Sequence, residues 1–423
     1  MFTICLFGVV MSFAALVSAE EVVTIQYAFW GNPAAIGVEK DIIEEFERTH
    51  PTIKVNPIVA PYPEYHSKLL TLIAGKQAPD VMRVDSYYFA DFAKAKALMD
   101  ITSLIKRDNL PMEKYYPAGL LDVKKGNRYY GLPWSTAPLY VAINLKMFKE
   151  AGIPIPSIDW KYDEFLKIMR QLSKREGAYR QYGYALYAGS ISYILPFVWG
   201  NGGDLFDKSR RKFTLNNPPA VQRIQEVADL IKEGVIADPA NFPSNDVVVR
   251  WIANNQVAMA MVTMIEILSL QQIQGVEFEV LPFPGTAKYP NVTIYKSNVV
   301  GLSATIKDKK KKEAAWTFLK FLRAPGERGE VLYMKAKRMP PTCDDPELWK
   351  IFTDLSKPPR MIVEVTNAIA NKYAHLLPLR SGWLEVEGVL LPQLQRIYSG
   401  QVSAQQGLNE IAPKIQEILD RTN

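Results

Sequence analysis

Cysteine and histidine are scarce in this sequence. Its 423 residues include two cysteines, Cys5 and Cys343, and three histidines. Cys5 lies in an apolar stretch at the amino terminus, so removing that stretch leaves Cys343 alone and excludes an intrachain disulfide. A single cysteine with so few histidines is also a poor basis for cysteine catalysis or for a zinc site. The fold is therefore expected to depend on packing without covalent cross-links.

Sequence motifs for several kinds of chemistry are also missing. There is no glycine-rich phosphate loop ending in Lys-Ser or Lys-Thr, no His-Glu-x-x-His and no Gly-x-Ser-x-Gly. The net charge of +6 is modest for this length, and no stripe of Lys and Arg with interleaved aromatic residues indicates nucleic-acid binding. The sequence therefore predicts no cofactor, no metal and no nucleic-acid partner.

The amino terminus carries the one long apolar run of the sequence. Residues 1–19 contain no charged side chain. The small residues Val-Ser-Ala stand directly before Glu20, as they do at a signal-peptide cleavage site. This pattern predicts a secretory signal peptide and an extracytoplasmic mature protein. A retained transmembrane anchor is the alternative, because residues 1–19 are nearly long enough to span a bilayer.

The length and the order of predicted elements indicate an α/β protein with two lobes. A chain of 423 residues exceeds what one hydrophobic core usually supports. A strand over residues 22–30, a helix over 38–46 and a strand from residue 53 begin an alternation of strands and helices. That alternation predicts parallel strands with helices on the sheet faces and right-handed crossovers.

Polar and aromatic side chains follow two of the predicted strands. Trp30 and Asn32 follow the first strand. Asp85, Ser86 and Tyr87 follow a later short strand with few polar residues. Because ligands of open α/β sheets bind at the carboxyl ends of the strands, these residues predict one wall of a binding cleft. Asp85 and Ser86 are also good N-cap residues, so capping the next helix is an alternative role for both.

The same region of the chain carries a family resemblance. LLTLIAGKQAPDVMRVDS at residues 69–86, followed by FADFAKAKALMDITSLI at residues 89–105, closely resembles the sugar-type (family 1) extracellular solute-binding proteins of ABC transporters. Residues 129–148, 195–206 and 313–322 resemble later segments of that family, in the same order. The resemblance covers nearly the whole chain after the signal peptide.

The resemblance implies a two-lobed periplasmic-binding-protein fold of type II. In that fold each lobe is a mostly parallel sheet flanked by helices, and the ligand cleft lies between the lobes. The implied first lobe comprises residues 20–136 and 284–324, and the second lobe comprises residues 137–283 and 325–423. Residues 1–19 are the predicted signal peptide.

The resemblance also implies which residues of the second lobe meet the ligand. Trp-Gly-Asn-Gly-Gly-Asp at residues 199–204 matches a stretch beside the ligand in the family, and Trp383 begins a helix that faces the cleft. Thr263, Met264 and Ile265 stand where family members often have Gly-Pro-Trp at the ligand. The complete set of predicted ligand-binding residues is Trp30, Asn32, Asp85, Ser86, Tyr87, Trp199, Asn201, Gly202, Asp204, Met264 and Trp383.

Together these features predict a binding protein for a sugar, either a mono- or an oligosaccharide. Sugars present an apolar ring face and a belt of hydroxyl groups, so their sites combine flat aromatic side chains with hydrogen-bonding groups. The resemblance implies that the ligand closes two lobes that are mostly open when empty. It also implies delivery of the sugar to membrane permease subunits of an ABC importer. The expected protein is a monomer, in the periplasm or on the extracytoplasmic cell surface, and is not an enzyme.

Three alternatives keep part of this interpretation. A phosphate ester, such as a glycerophosphodiester, requires cations in the cleft, and Arg83, Arg338 and Arg380 are candidates. A secreted carbohydrate-active enzyme requires two carboxylates, for which Asp85 and Asp204 are candidates. A surface adhesion module would retain the amino-terminal apolar stretch as its anchor.

Overall fold

A computed structural model describes residues 21–176, 179–336 and 339–422 of the chain. The predicted signal peptide at residues 1–19 lies outside the described residues, and so does Arg338. No helix in the described part of the chain has the length and apolar character required to cross a membrane.

The described strands are short and spread over the whole chain. In chain order they are β1 (Val23–Trp30), β2 (Ile53–Ala60), β3 (Val81–Val84), β4 (Lys124–Lys125), β5 (Arg128–Tyr129), β6 (Leu132–Pro133), β7 (Ala137–Pro138), β8 (Tyr140–Asn144), β9 (Lys174–Glu176), β10 (Tyr179–Ala185), β11 (Ile236–Ala237), β12 (Val257–Val262), β13 (Phe278–Leu281), β14 (Thr293–Lys296), β15 (Val299–Leu302) and β16 (Ala374–Leu376).

Helices alternate with these strands and dominate the carboxyl-terminal third. They are α1 (Pro33–Thr49), α2 (Tyr62–Ala74), α3 (Ser86–Lys94), α4 (Thr102–Arg107), α5 (Pro117–Leu121), α6 (Leu145–Glu150), α7 (Tyr162–Gln171), α8 (Leu195–Trp199), α9 (Pro218–Glu233), α10 (Asn245–Ala253), α11 (Met264–Gln271), α12 (Lys309–Arg323), α13 (Arg328–Lys335), α14 (Pro346–Phe352), α15 (Ile362–Ala368), α16 (Trp383–Tyr398) and α17 (Ala404–Arg421). Short 3₁₀ helices lie at Met112–Lys114, Ile191–Tyr193 and Pro239–Asn241, and a π-helix lies at Ile369–Tyr373.

The first sheet is built mainly from the amino-terminal part of the chain. Its strand order is β2-β1-β3-β15-β6. The pairings of β1 with β2 and with β3 are parallel, whereas β15 runs antiparallel to β3 and β6. All four residues of β3 are buried, as its nearly uninterrupted apolar sequence predicts. α12 packs on β1 and β15, and α13 packs on α12 and α1.

The second sheet is built from the middle of the chain. Its strand order is β11-β10-β12-β8-β13, and β9 pairs with β10. β10 runs parallel to β11 and β12, whereas β8 runs antiparallel to β12 and β13. α7 packs on β10 and α10 on β12, while α16 and α17 pack on each other and on α9. A second layer of helices therefore extends this half of the molecule.

A small third sheet connects the two halves. Its order is β16-β14-β7, with β14 parallel to β16 and antiparallel to β7. The chain enters the second sheet at β8 directly after β7, and it returns to the first sheet at β15 directly after β14. The connecting strands therefore lie together where a hinge between two lobes is expected. The exact lobe boundaries named above stay a prediction.

Both large sheets are mixed, whereas the sequence predicted mostly parallel sheets. The difference arises at β8 and β15. Each of these strands enters its sheet from the connecting sheet and not through a crossover helix on the same sheet. Such a strand arrives from the opposite end and runs against its neighbours, which the local alternation of strands and helices does not reveal.

Candidate functional site

A cavity of about 700 Å³ lies between the first sheet and α11, which follows a strand of the second sheet. Trp30 at the end of β1, Arg83 on β3 and Asn298 before β15 form one side, and Ile265 and Gln272 lie on the other. This volume is within the range of about 300–1,000 Å³ that is usual for small-molecule sites. Further lining residues are Gly31, Asn32, Ala35, Val38, Glu39, Trp134, Leu268, Ser269, Gln271, Tyr333 and Met339.

Trp30 is the half-buried aromatic residue at the centre of this cavity wall. Its ring centroid lies 5.7 Å from that of Tyr62, 5.3 Å from that of Tyr65 and 5.3 Å from that of His66. These rings belong to α2, which follows β2, the strand beside β1. Contacts with these three rings hold the indole, while part of its surface stays open to the cavity. Trp30 and Asn32 therefore lie where the sequence predicted them, at a strand end in a cleft.

A buried ion pair forms the floor of the cavity. Arg83 Nη1 lies 3.0 Å from Glu39 Oε1, and the two residues are 5% and 3% exposed. Burial raises the pKa of the Glu39 carboxyl, while the Arg83 charge and hydrogen bonds from Tyr333 and Tyr27 oppose that increase. The Arg83 guanidinium also lies 4.1 Å from the ring centroid of Trp30. Among the residues that the structure describes, these are the charged side chains of the cavity wall, and they neutralise each other.

The start of α3 lies beside this cavity. Asp85 Oδ1 accepts a hydrogen bond of 3.0 Å from the Tyr87 backbone N–H, so this carboxylate caps α3. The Ser86 backbone N–H donates to Asn298 Oδ1 at 3.1 Å. The alternative role for Asp85, helix capping, is therefore present in the structure. The buried Ser86 Oγ, in contrast, has no hydrogen-bond partner within the described part of the chain.

His66 stabilises the loop between β3 and α3. Its Nε2 accepts a hydrogen bond of 3.1 Å from the Asp85 backbone N–H, and its ring stacks on Tyr88 at 3.9 Å. The imidazole must be neutral to accept this bond. Burial lowers the pKa of His66 to about 4, against the opposing effect of Asp85. The loop after β3 is therefore held by a neutral histidine.

Tyr87 reaches across to the second half of the molecule. Its ring lies nearly parallel to that of Trp383, at an angle of 16° with 6.2 Å between centroids. Its hydroxyl lies 3.4 Å from Ser192 Oγ, and Lys296 Nζ lies 4.3 Å from its ring centroid. The structure thus brings together Tyr87 and Trp383, both predicted site residues. It adds Lys296 and Ser192, which sequence reasoning missed because neither follows a recognisable motif.

Trp199, Gly202 and Asp204 line a different cavity, of about 610 Å³. Trp199 is 3% exposed, its Nε1 donates to Asp204 Oδ1 at 2.9 Å, and its ring stacks on His375 at 3.8 Å. Gly202 has a φ of +81°, and a Cβ there would lie 2.4 Å from the Tyr289 hydroxyl oxygen. The structure therefore does not bring these three residues to the cavity of Trp30.

Asn201 and Met264 lie in two further places. Asn201 Nδ2 donates to the Pro219 carbonyl oxygen at 2.8 Å and lines a groove beside α9. Met264 is the first residue of α11 and lines a smaller cavity, while its neighbour Ile265 is 72% exposed and faces Trp30 across the main cavity. The second wall of the cleft thus comes from α11. The sequence feature that could have identified this second wall was Ile265, at the position where the family often has Trp.

Two of the three candidate cations of the phosphate-ester alternative have partners within the protein. Arg83 pairs with Glu39. Arg380 Nη2 donates to the Leu419 carbonyl oxygen at 2.7 Å and to Thr422 Oγ1 at 3.1 Å. Arg338 lies outside the described residues.

A match to a protein-family sequence model identifies the family of this chain. The model described as bacterial extracellular solute-binding protein matches residues 34–328, so this chain belongs to that family. The resemblance noted in the sequence is thereby confirmed.

Individual relatives agree with this membership. The arabinooligosaccharide-binding protein of Bacillus subtilis is 29% identical over 198 residues, which are 46% of this chain and 44% of that protein. The matched segments span between 38% and 44% of the lengths of three curated relatives.

Solved structures confirm the two-lobed α/β fold. An ABC substrate-binding protein of Listeria monocytogenes, in complex with cycloalternan, has a TM-score of 0.77 at 22% identity, covering 95% of this chain and 100% of that chain. The sugar-binding protein MalE of Xanthomonas citri has a TM-score of 0.78 at 18% identity, covering 94% and 98%.

Proposed function

We propose that this protein captures a neutral sugar in the cavity between its two lobes and delivers it to the permease of an ABC importer. The observation that carries the proposal is the wall of that cavity: Trp30 stands beside amide side chains, and the charged lining residues Arg83 and Glu39 pair with each other. Family membership, the curated arabinooligosaccharide-binding relative and the sugar-bound structures of similar fold support the same ligand class.

The lining suits the two kinds of surface that a sugar presents. The indole of Trp30 offers an apolar face for a sugar ring. Asn32, Gln272 and Asn298 offer both donors and acceptors to hydroxyl groups. Trp134 also lines the cavity, and its buried Nε1 has no hydrogen-bond partner among the described residues.

The charged groups that line the cavity beside Trp30 favour a neutral ligand over a phosphate ester there. Recognition of a phosphate needs guanidinium or ammonium donors that are free to meet it. Arg83 is neutralised by Glu39, and Arg380 donates to backbone and hydroxyl oxygens beside α17. An anion entering the cavity would also approach the Glu39 carboxylate.

We also propose that the protein binds its sugar without hydrolysing it. The two carboxylates considered for a glycosidase, Asp85 and Asp204, lie at different places. Asp85 caps α3, whereas Asp204 accepts from Trp199 Nε1 in the separate cavity. A pair that flanks one glycosidic bond would need its carboxyl groups within about 5–10 Å of each other on either side of the sugar.

Closure of the two lobes around a ligand is expected because each lobe supplies one wall of the cavity. Trp30 and Asn298 belong to the first lobe, and Ile265 and Gln272 belong to α11. A ligand shifts the lobes toward the closed state only through contacts that it makes better in that state. A sugar that touches both walls meets this condition.

A thermal-shift screen of the protein from residue 20 onward tests the proposal. The panel contains arabinose, arabinotriose, maltose, maltotriose, glycerophosphocholine and glucose 6-phosphate. A ligand at 100 times its Kd stabilises the folded state by about 2.7 kcal/mol, which raises the Tm by a few degrees. We expect a shift with at least one neutral sugar and recovery of that sugar intact. A shift only with the phosphate esters, or hydrolysis of the bound glycan, would contradict the proposal.

A further inference from the structure

Two side chains set the charge of the cavity beside Trp30. Among the lining residues that the structure describes, Glu39 and Arg83 are the charged ones. Glu39 lies on α1 and Arg83 on β3, and both are buried. Glu39 Oε1 and Arg83 Nη1 lie 3.0 Å apart. One carboxylate therefore balances one guanidinium at the floor of the cavity.

The guanidinium of Arg83 is held at this position by groups other than Glu39. Its Nη2 donates a hydrogen bond to the Trp30 backbone carbonyl oxygen. Its Cζ lies 4.1 Å from the ring centroid of Trp30 and 4.7 Å from that of Trp134. The Tyr65 hydroxyl donates to the Arg83 backbone carbonyl oxygen at 2.8 Å. The positive charge is therefore expected to stay at the cavity floor when the carboxylate is removed.

Glu39 accepts hydrogen bonds on both of its carboxylate oxygens. Arg83 Nη1 donates to Oε1, and the Tyr333 hydroxyl donates to Oε2. The Tyr27 hydroxyl lies 3.4 Å from the same Oε2. Tyr333 belongs to α13, which packs on α1. The side chain of Glu39 is therefore fixed on the side of Arg83 by contacts around the first sheet.

A second buried ion pair lies next to the first one. Arg323 Nη2 lies 3.9 Å from Glu330 Oε1, and neither residue is exposed. The Arg323 guanidinium lies 5.3 Å from the ring centroid of Trp134, which also borders Arg83. Each arginine thus has its own carboxylate. Removing the charge of Glu39 would leave one positive charge without a carboxylate, and that charge would be the one that lines the cavity.

We propose that Glu39 is the specificity-determining residue that makes this cavity accept uncharged sugars and reject acidic ones. This role rests on the proposed function, because it concerns the ligand of the same cavity. A guanidinium without a carboxylate partner is well suited to bind a carboxylate or a phosphate group. Glu39 already occupies Arg83 in this way, and its negative charge disfavours a second carboxylate nearby. A uronic acid is therefore excluded by a side chain of the protein itself.

Two substitutions of Glu39 separate its charge from its shape. Glu39→Gln keeps the length of the side chain and removes the charge, whereas Glu39→Asp keeps the charge and shortens the side chain. Calorimetric titration with L-arabinose and with D-galacturonate measures the preference, since galacturonate adds a carboxylate to an otherwise similar ring. We expect Glu39→Gln to shift the ratio of the two affinities toward galacturonate by at least about tenfold, the value of one charge-assisted hydrogen bond. Glu39→Asp should keep the wild-type preference. A preference that changes in Glu39→Asp and not in Glu39→Gln would overturn the role of the charge.

Inorganic phosphate gives a readout that does not depend on any sugar. Thermal shift across a phosphate titration measures its Kd, and circular dichroism verifies that each variant is folded. The matched control is the double variant Glu39→Gln, Arg83→Met, which removes both charges of the pair. We expect phosphate to bind Glu39→Gln at least about tenfold more tightly than it binds wild-type protein or the double variant. Equal phosphate affinities of the three proteins would overturn the role of Glu39.

The two readouts distinguish the role of Glu39 from the proposed sugar function. If no sugar binds wild-type protein but phosphate selects Glu39→Gln, the sugar function fails and the charge role of Glu39 is supported. If arabinose binds but Glu39→Gln gains neither galacturonate nor phosphate, the sugar function stands and the role of Glu39 is wrong. If Glu39→Gln alone does not fold, the double variant decides, because uncharged replacements of a buried ion pair are often tolerated. It should match wild-type protein in both measurements, and a gain of galacturonate or phosphate affinity would contradict the proposal.

Discussion

At the scale of single residues, Trp30 is the side chain on which the sugar proposal most depends. It is half-buried, its orientation is fixed by Tyr62, Tyr65 and His66, and part of its ring faces a cavity of about 700 Å³. Trp199, in contrast, has its ring covered by His375 and its N–H bound by Asp204. The two tryptophans look alike in sequence context, but Trp30 is half-buried whereas Trp199 is only 3% exposed.

The substitution Trp30→Ala should weaken binding of the sugar that the screen identifies. We expect a loss of about 1–3 kcal/mol, because an aromatic stacking surface and its buried area are removed. Calorimetric titration measures the change. Trp251→Ala is the matched control, since Trp251 is also half-buried but packs against Tyr182 and Phe242 away from the cavity. Equal affinities of wild-type protein and Trp30→Ala would remove Trp30 from the site.

His66 makes stability depend on pH in a defined direction. Its pKa is lowered from 6.5 to about 4, so the unfolded chain binds a proton at a higher pH than the folded chain does. The stability that this neutral histidine contributes is complete above about pH 6.5 and is lost as the pH falls toward 4. The loss amounts to about 3 kcal/mol, at 1.36 kcal/mol for each unit of pKa.

The variant His66→Gln should remove this part of the pH dependence. Denaturant unfolding of wild-type protein and variant at pH 7.5 and pH 4.5 measures it, and the difference between the two proteins should shrink as the pH falls. His50→Gln, at the end of α1, is the control and should keep the contribution of His66. A His66→Gln protein that loses as much stability as wild type between these pH values would refute the assignment.

At the scale of elements, the first wall of the site was predictable because it depends on local order. β1 and β3 are apolar strands, and the residues that follow them in sequence must lie at their carboxyl ends. Trp30 and Asn32, which line the cavity, were predicted in this way, whereas Asp85 is not among its lining residues. The capping role of Asp85 was also visible in the sequence, since N-caps follow from short-range chemistry.

The second wall was not predictable from local order. The stretch at residues 199–204 begins with the last residue of α8, and Trp199, Asn201 and Asp204 make their contacts within the second lobe. The wall comes instead from α11, whose exposed face is visible only after the lobes are assembled. The antiparallel course of β8 and β15 was hidden for the same reason. Both features depend on how the connecting sheet joins the two lobes.

α12 is stabilised at its amino terminus by a capping side chain. Its first turn begins with Lys309 and contains three further lysines, which a helix amino terminus disfavours. Asp308 offsets this by accepting a hydrogen bond of 2.7 Å from the Lys311 backbone N–H. The cap therefore positions a helix that packs on β1.

Removing this cap should lower stability by a small and measurable amount. We expect Asp308→Ala to reduce the free energy of unfolding by about 1 kcal/mol, as is typical for loss of an N-cap. Denaturant unfolding measures the change. Asp308→Asn keeps an acceptor oxygen and should lose much less. If the Asn and Ala variants were equally destabilised, the hydrogen bond would not be the cause.

At the scale of the whole molecule, the two lobes face each other across the cavity beside Trp30. The cavity lies between Trp30 and α11, and Tyr87 of α3 contacts Trp383 of α16 at a separate place. The connecting sheet of β7, β14 and β16 lies between the lobes.

The most direct test of the central claim is a crystal structure of the protein with the sugar that the thermal-shift screen identifies. The account predicts that the sugar lies over Trp30, with hydroxyl groups bonded to Asn32 or Asn298 on one side and to Gln272 on the other. Density for the sugar in the cavity beside Trp199, with the cavity beside Trp30 free of it, would contradict the account.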